Sequence, residues 1–268
     1  PEIKLPKATA IINPNRMDDN SGLNYLSAVG VTYMFIIGLN RKLRSEDWFK
    51  KNNIKEPNLI ALLDLVALGT VCDVVPLRGL NRALVTQGLK VIQRRGNPGL
   101  RALANIAAIS EAPAAYHLGF VFGPRVNAGG RVGAADLGAR LLTTAAEDEA
   151  VDLAKDLNTF NQERQNIETQ VFAEALEGLE SNPPGAAVFA VGKNWHPGVI
   201  GIVASRLKER FNRPACVISM NENEGLGTGS GRSVTGVDLG AYVIAARQAG
   251  LLSRGGGHRM AAGFTVTK

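Results

Sequence analysis

The sequence has no apolar run long enough to cross a bilayer. The longest, from Ala28 to Leu39, has about half of the ~20 residues that a membrane-spanning helix needs, and Thr32 interrupts it. Cysteine is also scarce: Cys72 and Cys216 lie far apart in apolar stretches. This excludes a disulfide scaffold and a cysteine-based zinc site. It predicts two small buried hydrophobic residues in a reducing, cytoplasmic compartment.

An initiator methionine and a signal peptide are missing as well. The chain opens at Pro1, which indicates a fragment or a processed polypeptide. Hydrophobic residues make up 45% of the 268 residues and charged residues 20%, as in an ordinary soluble globular protein. The length predicts one large domain or two smaller ones.

The charge is unevenly distributed along the chain. Residues 144–181 carry ten acidic and two basic residues, whereas the rest of the chain carries 28 basic and 14 acidic residues. The basic part indicates either a polyanionic partner or an ordinary solvated surface, and charge alone leaves both interpretations open.

The acidic segment 144–181 predicts one long amphipathic helix. It begins with a capping box, Thr144 to Glu147, and Asn182-Pro-Pro-Gly185 ends it. Arg164 fills one position of an apolar stripe that consists of Leu153, Leu157, Phe160, Ile167 and Val171. Such a helix is typical of a connector between two domains, and the alternative is a surface helix of a single domain.

The predicted domains are therefore 1–143, the connector 144–181, and 182–268. The first part is expected to be mostly helical, with helices at 22–43, 57–68, 79–95 and 135–142 and a short strand at Ala8–Ile12. After the connector, the pattern alternates between strands and helices, which predicts an α/β fold. The strands are expected at 186–191, 215–219 and 263–266, and the helices at 197–210 and 238–246.

Two glycine-rich strings follow the connector. Gly255-Gly256-Gly257-His258 and the segment Gly227–Ser233, which contains Ser230 and Arg232, combine close backbone approach with phosphate-binding side chains. We expect anion-binding nests there; the alternatives are a flexible loop and a glycine-rich strand. Neither string matches a dinucleotide or Walker fingerprint.

Three other features carry candidate site residues. The string 123–133 places Arg125, Asn127 and Arg131 on a predicted glycine-rich turn. Asp73 lies in an apolar stretch, where a buried carboxylate needs a partner or a metal, but without further context the favoured interpretation is a cap of a helix or turn. His196 precedes Pro197 and is expected either at a helix N-terminus facing an anion or packed in a turn.

Together these strings resemble the RecJ family, the single-strand-specific exonucleases of the DHH phosphoesterase superfamily. The resemblance covers essentially the whole chain and rests on five strings in order: 66–77, 123–131, 195–207, 230–233 and 256–263. It implies a two-domain α/β protein in which a helix-rich, partial DHH domain is joined by a long helix to a smaller mixed-sheet, DHH-associated domain.

The resemblance implies an activity and roles for the candidate residues. The activity is 5′-to-3′ hydrolysis of single-stranded DNA to nucleoside monophosphates with Mn²⁺ or Mg²⁺, in DNA repair and recombination. Asp73 matches a metal-binding, catalytic aspartate of the family. The implied nucleic-acid-binding residues are Arg125, Asn127, Arg131, His196, Ser230, Arg232, Ser233, Gly256, Gly257 and His258.

The chain also departs from the family pattern. The Asp-x-Asp element and the Asp-His-His triplet that supply the other metal ligands do not occur in this sequence. We therefore expect an incomplete metal site and a polypeptide that is inactive alone. Two alternatives remain: a phosphodiesterase of short oligonucleotides from the same superfamily, and a non-catalytic protein that binds single-stranded nucleic acid.

Overall fold

The computed structural model describes residues 5–181 and 183–267, which divide into two compact units. Unit 1 comprises residues up to Asn127 together with Asp136–Asn158, and unit 2 comprises Ala128–Ala135 and the chain from Thr159 onward. The helices are α1 (Ala28–Ser45), α2 (Trp48–Lys51), α3 (Leu63–Cys72), α4 (Gly79–Gln93), α5 (Pro98–Ile106), α6 (Gly123–Val126), α7 (Gly129–Val132), α8 (Leu137–Thr143), α9 (Glu147–Ser181), α10 (Pro197–Phe211) and α11 (Leu239–Gln248).

All regular elements in the described part of unit 1 are helices. Its core forms around α3, which is apolar on every side and is therefore buried between neighbouring helices. Gly88 of α4 lets the two helices approach closely, because a Cβ at this position would collide with the Leu63 carbonyl and the Ala67 side chain. A short 3₁₀ helix (Leu59–Leu62) precedes α3, and a π-helix (His117–Phe122) precedes α6.

Several predicted elements of unit 1 differ in the structure. Ala8–Ile12 is irregular, because no strand among the described residues of unit 1 is available to pair with it. The first helix begins at Ala28, where the Ser27 hydroxyl caps it by accepting a hydrogen bond from the Gly30 N–H. The predicted glycine-rich turn at 123–133 is instead helical, in α6 and α7.

Unit 2 contains a five-stranded mixed sheet. Its strands are β1 (Val188–Lys193), β2 (Ala215–Asn221), β3 (Leu226–Arg232), β4 (Arg254–His258) and β5 (Ala261–Thr267), in the order β1-β2-β3-β5-β4. β1 and β2 are parallel and are joined through α10, and the other pairs are antiparallel. Val199 and Val203 of α10 pack with Val217, whereas the other sheet face buries Cys216 against α11. The two helices therefore cover opposite faces.

The long helix α9 contributes to both cores. Leu153 and Leu157 pack in unit 1, and Val171 and Ala175 pack in unit 2. The predicted capping box is wrong in detail, because the helix begins at Glu147. The Thr144 hydroxyl accepts from the Ala146 N–H and donates to Glu149, while Glu147 pairs with Arg101.

Neither cysteine forms a disulfide, as the sequence predicts. Cys216 is buried, and burial raises the pKa of its thiol to about 11; burial also raises the pKa of the half-buried Cys72. Within the described ranges, no helix is both long enough and apolar enough to span a membrane.

Candidate functional site

The glycine-rich strings form strands rather than nests. Gly255 to Gly257 lie in β4. An anion-binding nest requires successive residues with alternating right-handed and left-handed backbone conformations, and none of these glycines has the positive φ of the left-handed conformation. These glycines instead make room for close packing: a Cβ at Gly229 would collide with the Phe264 ring, and one at Gly257 with the Ala261 carbonyl. The expectation of anion-binding nests is therefore wrong, and any ligand must meet a flat sheet surface.

The strand register places several candidate residues in two rows on one sheet face. Arg232, Ala261 and His258 lie opposite one another on β3, β5 and β4, and Ser230, Gly263 and Gly256 form the neighbouring row. Directly opposed residues of an antiparallel sheet point to the same face, and the two rows are about 6.8 Å apart along the strands.

We call Gly256 and Gly263 with their main chain the bare strip. A Cβ added at either glycine would meet no heavy atom of the described residues within 4 Å. Gly257, by contrast, points to the other face, where it packs against Ala262. The bare strip is therefore an open stretch of backbone beside the Ser230 and Arg232 side chains.

Arg232 is half-buried beside this strip. Its Nη1 donates to the Ser230 Oγ (3.1 Å) and to the Gly231 carbonyl (2.9 Å). Gly201 of α10 lies above it, and a Cβ there would come within 2.9 Å of the Arg232 Nη2 and 3.0 Å of the Ser230 Oγ. Burial lowers the pKa of Arg232, so a negatively charged ligand would stabilise its charged form.

Arg131 comes from the segment 128–135 of unit 2, which packs against the first turn of α10. Its Nη1 donates to the Gly198 carbonyl (2.8 Å). A glycine is needed at position 198, because a Cβ there would lie 2.5 Å from the Arg131 carbonyl oxygen. Desolvation of the guanidinium, and then repulsion by Arg164 and Arg232, lower the pKa of Arg131. Arg131 and Arg232 are thus electrostatic neighbours. We call Arg131, Ser230 and Arg232 the cradle.

The two histidines occupy different surroundings in unit 2. His196 caps α10: its Nδ1 accepts a hydrogen bond from the Gly198 N–H (3.1 Å), which leaves Nε2 as the nitrogen that can donate. His258 is exposed at the end of β4, and its Nδ1 accepts from the Met260 N–H (3.3 Å). Both imidazoles can therefore offer an Nε2–H to an anion.

Ser233 supports the turn after β3. It is 1% exposed, and its hydroxyl donates to the Val237 carbonyl (2.9 Å). This engagement distinguishes it from Ser230, whose hydroxyl accepts from Arg232 on the sheet face. A direct contact between Ser233 and nucleic acid stays a prediction.

In unit 1, Arg125 and Asn127 lie on and just after α6. The Arg125 Nε donates to the Asn158 Oδ1 (3.0 Å) and its Nη1 to the Val121 carbonyl (2.9 Å). Burial lowers the pKa of Arg125. Asn127 is exposed, and its N–H closes α6 on the Gly123 carbonyl.

Asp73 is exposed at the C-cap of α3, which agrees with the helix-cap interpretation and excludes the alternative of a buried carboxylate. It follows the last turn of α3, and its N–H donates to the Gly69 carbonyl. The buried carboxylate is Asp64 at the start of the same helix, at 5% exposure, and burial raises its pKa. The sequence around Asp64 is just as apolar as the sequence around Asp73, so the signal of a carboxylate in an apolar stretch was present at Asp64 as well.

The residues present do not fit a metal pair. Among residues 5–181 and 183–267, no three His, Cys, Asp or Glu side chains are grouped so that they could hold a metal ion. One exposed carboxylate cannot bind two hard divalent cations, which need several oxygen ligands each. We therefore derive no catalytic step through a metal from these residues.

The structure adds three charged residues to the candidate site. Arg164 is 8% exposed on α9 and bonds to Glu168, which in turn bonds to Arg206 of α10. The sequence contained one signal for this network: Arg164 occupies a position of the apolar stripe of α9. An arginine at such a position is expected to be buried, and a buried arginine requires charged or polar partners.

Comparisons with known proteins identify a domain family and several relatives that this chain resembles. The DHHA1 domain family matches residues 184–268. The chain is 42% identical over 273 residues to the single-stranded-DNA-specific exonuclease RecJ of Escherichia coli K12, covering 98% of this chain and 47% of that protein. It is 36% identical over 269 residues to the Bacillus subtilis enzyme of the same name, covering 99% of this chain and 32% of that protein.

A solved structure is similar as well. The crystal structure of RecJ in complex with Mg²⁺ from Thermus thermophilus matches with a TM-score of 0.68 and 37% identity, over 82% of this chain and 33% of that one. A manganese-bound RecJ structure gives a TM-score of 0.65 at 36% identity, over 82% of this chain and 53% of that one. The chain spans no more than about half the length of the curated relatives it matches.

Proposed function

Because the chain belongs to the RecJ family, we propose that it forms the phosphate-binding part of a metal-dependent 5′-to-3′ exonuclease acting on single-stranded DNA. The full reaction would hydrolyse phosphodiester bonds to nucleoside monophosphates, in DNA repair and recombination. Such a substrate, together with two free thiols, suits a cytoplasmic protein.

The cradle carries this proposal. Arg232 is half-buried and bonded to the Ser230 hydroxyl, and its charge is one of the causes that lower the pKa of the exposed Arg131. Guanidinium groups bind phosphate through two parallel hydrogen bonds, and partial burial weakens the screening of their charge by water. A phosphate in the cradle would relieve the repulsion between the two arginines.

The bare strip explains why the ligand would be a single strand. Its open main chain extends from the cradle across β5 and β4, and His258 lies at the end of the row that starts with Arg232. A sugar-phosphate backbone can approach such a surface closely, whereas side chains at Gly256 and Gly263 would hold it away. We also infer that Arg125, Asn127 and His196 contribute to nucleic-acid binding.

The proposed reaction would use Mn²⁺ or Mg²⁺, for which the described residues provide no complete site. Asp73 would supply one ligand, and the remaining ligands would come from groups other than the described residues. We therefore propose that this 268-residue chain alone binds DNA but does not cleave it.

The test is an assay of the purified chain with Mn²⁺ on a 5′-phosphorylated single strand, with binding to the same strand measured in parallel. Binding without release of mononucleotides is the expected result. Robust release would contradict the inactivity of the chain, and failure to bind would contradict the cradle.

A second candidate is a non-catalytic protein that binds single-stranded nucleic acid. The lack of a metal-binding group among the described residues favours it. The two candidates separate when the protein that naturally carries this sequence is assayed with Mn²⁺, because only the exonuclease then releases nucleotides.

A further inference from the structure

Beside the cradle, α9 holds a buried arginine whose guanidinium is bonded to other residues of the same helix. The Arg164 Nε and Nη2 both donate to the Asn161 Oδ1 (3.3 and 3.0 Å), and Nη1 donates to the Glu168 Oε2 (2.7 Å). Arg164 is 8% and Asn161 is 3% exposed. Each guanidinium nitrogen of Arg164 donates at least one hydrogen bond to a residue of its own helix, so this buried side chain is held in place as a positive charge.

Glu168 connects this charge to α10. Its side chain is only 13% exposed, and its Oε1 accepts a hydrogen bond from the Arg206 Nη1 (3.2 Å). The Arg206 guanidinium also lies over the Phe172 ring, 4.0 Å from its centroid. The bridge therefore fixes α9 against α10, the helix whose Gly198 and Gly201 contact the two arginines of the cradle.

Glu168 also acts on the cradle through its charge. Arg164 and Arg232 lower the pKa of Arg131, whereas the negative charge of Glu168 raises it. Glu168 therefore offsets part of the repulsion among three neighbouring guanidiniums. An anion that enters the cradle meets the same negative charge, which opposes its binding.

We propose that Glu168 is the internal counter-ion of the cradle: it positions Arg164 and Arg206 and limits how tightly the cradle binds phosphate. This inference rests on the proposed function. An exonuclease that advances along a strand must release each phosphate before it binds the next one, so limited affinity serves turnover. In the empty cradle Glu168 supplies the negative charge that a phosphate supplies in the occupied one.

Glu168→Gln removes the charge but keeps the shape of the side chain. We expect it to lower the dissociation constant for a 5′-phosphorylated oligonucleotide roughly three- to tenfold at low salt, because a nearby like charge is lost in a poorly screened site. The melting temperature without ligand should fall, and inorganic phosphate should restore more of it than in the parent.

The experiment compares four proteins by fluorescence anisotropy with a 5′-phosphorylated oligo-dT, and by thermal melting with and without inorganic phosphate. Glu168→Asp keeps the charge and should bind with nearly the affinity of the parent. Glu163→Gln makes the same charge change at an exposed position of α9 and should leave affinity within about twofold.

Tighter binding by Glu168→Gln alone supports the counter-ion. Equal or weaker binding with a lower melting temperature shows a purely structural residue and overturns the proposal. Equal tightening by Glu163→Gln shows a general charge effect and overturns it too. If the parent itself fails to bind the oligonucleotide, the proposed function is wrong and this inference goes with it.

Discussion

Replacing Arg232 by alanine tests the cradle most directly. The guanidinium is half-buried, held by the Ser230 hydroxyl and the Gly231 carbonyl, and a neighbour of Arg131. A hydrogen bond between charged groups contributes about 1.5–3 kcal/mol. Because about 1.4 kcal/mol corresponds to a tenfold change, Arg232→Ala should weaken binding of a 5′-phosphorylated single strand roughly 10- to 150-fold.

The salt dependence provides a second measurement. Loss of one phosphate contact should reduce the slope of log K against log salt by about 0.7 for a single strand. Fluorescence anisotropy with a labelled oligonucleotide at several salt concentrations measures affinity and slope together. Arg210→Ala, which removes the same charge from the exposed last turn of α10, is the matched control. If Arg232→Ala binds as tightly as this control, Arg232 does not contact the phosphate.

Three further predictions follow from the sheet and from α3. Gly256→Val should leave the melting temperature unchanged but weaken DNA binding, because its side chain enters open space over the bare strip; Gly257→Ala should instead lower the melting temperature, because a Cβ there collides with β5. Arg254 lies on the same face, two residues from Gly256, so Arg254→Ala should weaken binding of an octanucleotide but not of a mononucleotide. Burial raises the pKa of Asp64, so its ionisation in the folded state destabilises the protein as the pH rises above the ordinary carboxyl pKa. Asp64→Asn should therefore raise the melting temperature at neutral pH, and this gain should shrink towards acid pH. A gain that does not depend on pH would contradict this cause.

The long helix α9 and the helices of unit 2 were predictable because their signals are local. An apolar stripe with a regular period, a proline in the first turn of α10 and an aspartate before α11 are all visible in the sequence. The sequence offered a glycine-rich strand for Gly227–Ser233 only as an alternative to a nest, because a glycine has no side chain whose alternation between faces can be detected. The register of the glycine-rich strands depends on bulky partners such as Phe264, which lie elsewhere in the chain.

The two aspartates of α3 show a second limit of sequence reasoning. Both have apolar neighbours in the sequence, but Asp64 lies in the first turn of a helix that is buried on every side, whereas Asp73 follows its last turn. Burial of a carboxylate thus depends on where the helix ends and on what packs around it. Neither property is encoded in the immediate neighbours, so the sequence alone could not separate a buried Asp73 from one that caps a helix, and the structure places it at the C-cap of α3.

The cradle itself depends on two glycines whose importance is steric. Gly198 lets the Arg131 main chain approach the first turn of α10, and Gly201 leaves the space that the Arg232 guanidinium occupies one turn later. The two arginines are about 100 residues apart in the chain, yet the same helix positions both. Repulsion between them would favour their separation, so the close packing at these glycines and the negative charge of Glu168 must together keep them near each other. The same arrangement leaves Arg131 exposed and Arg232 half-buried, with both available to an incoming phosphate.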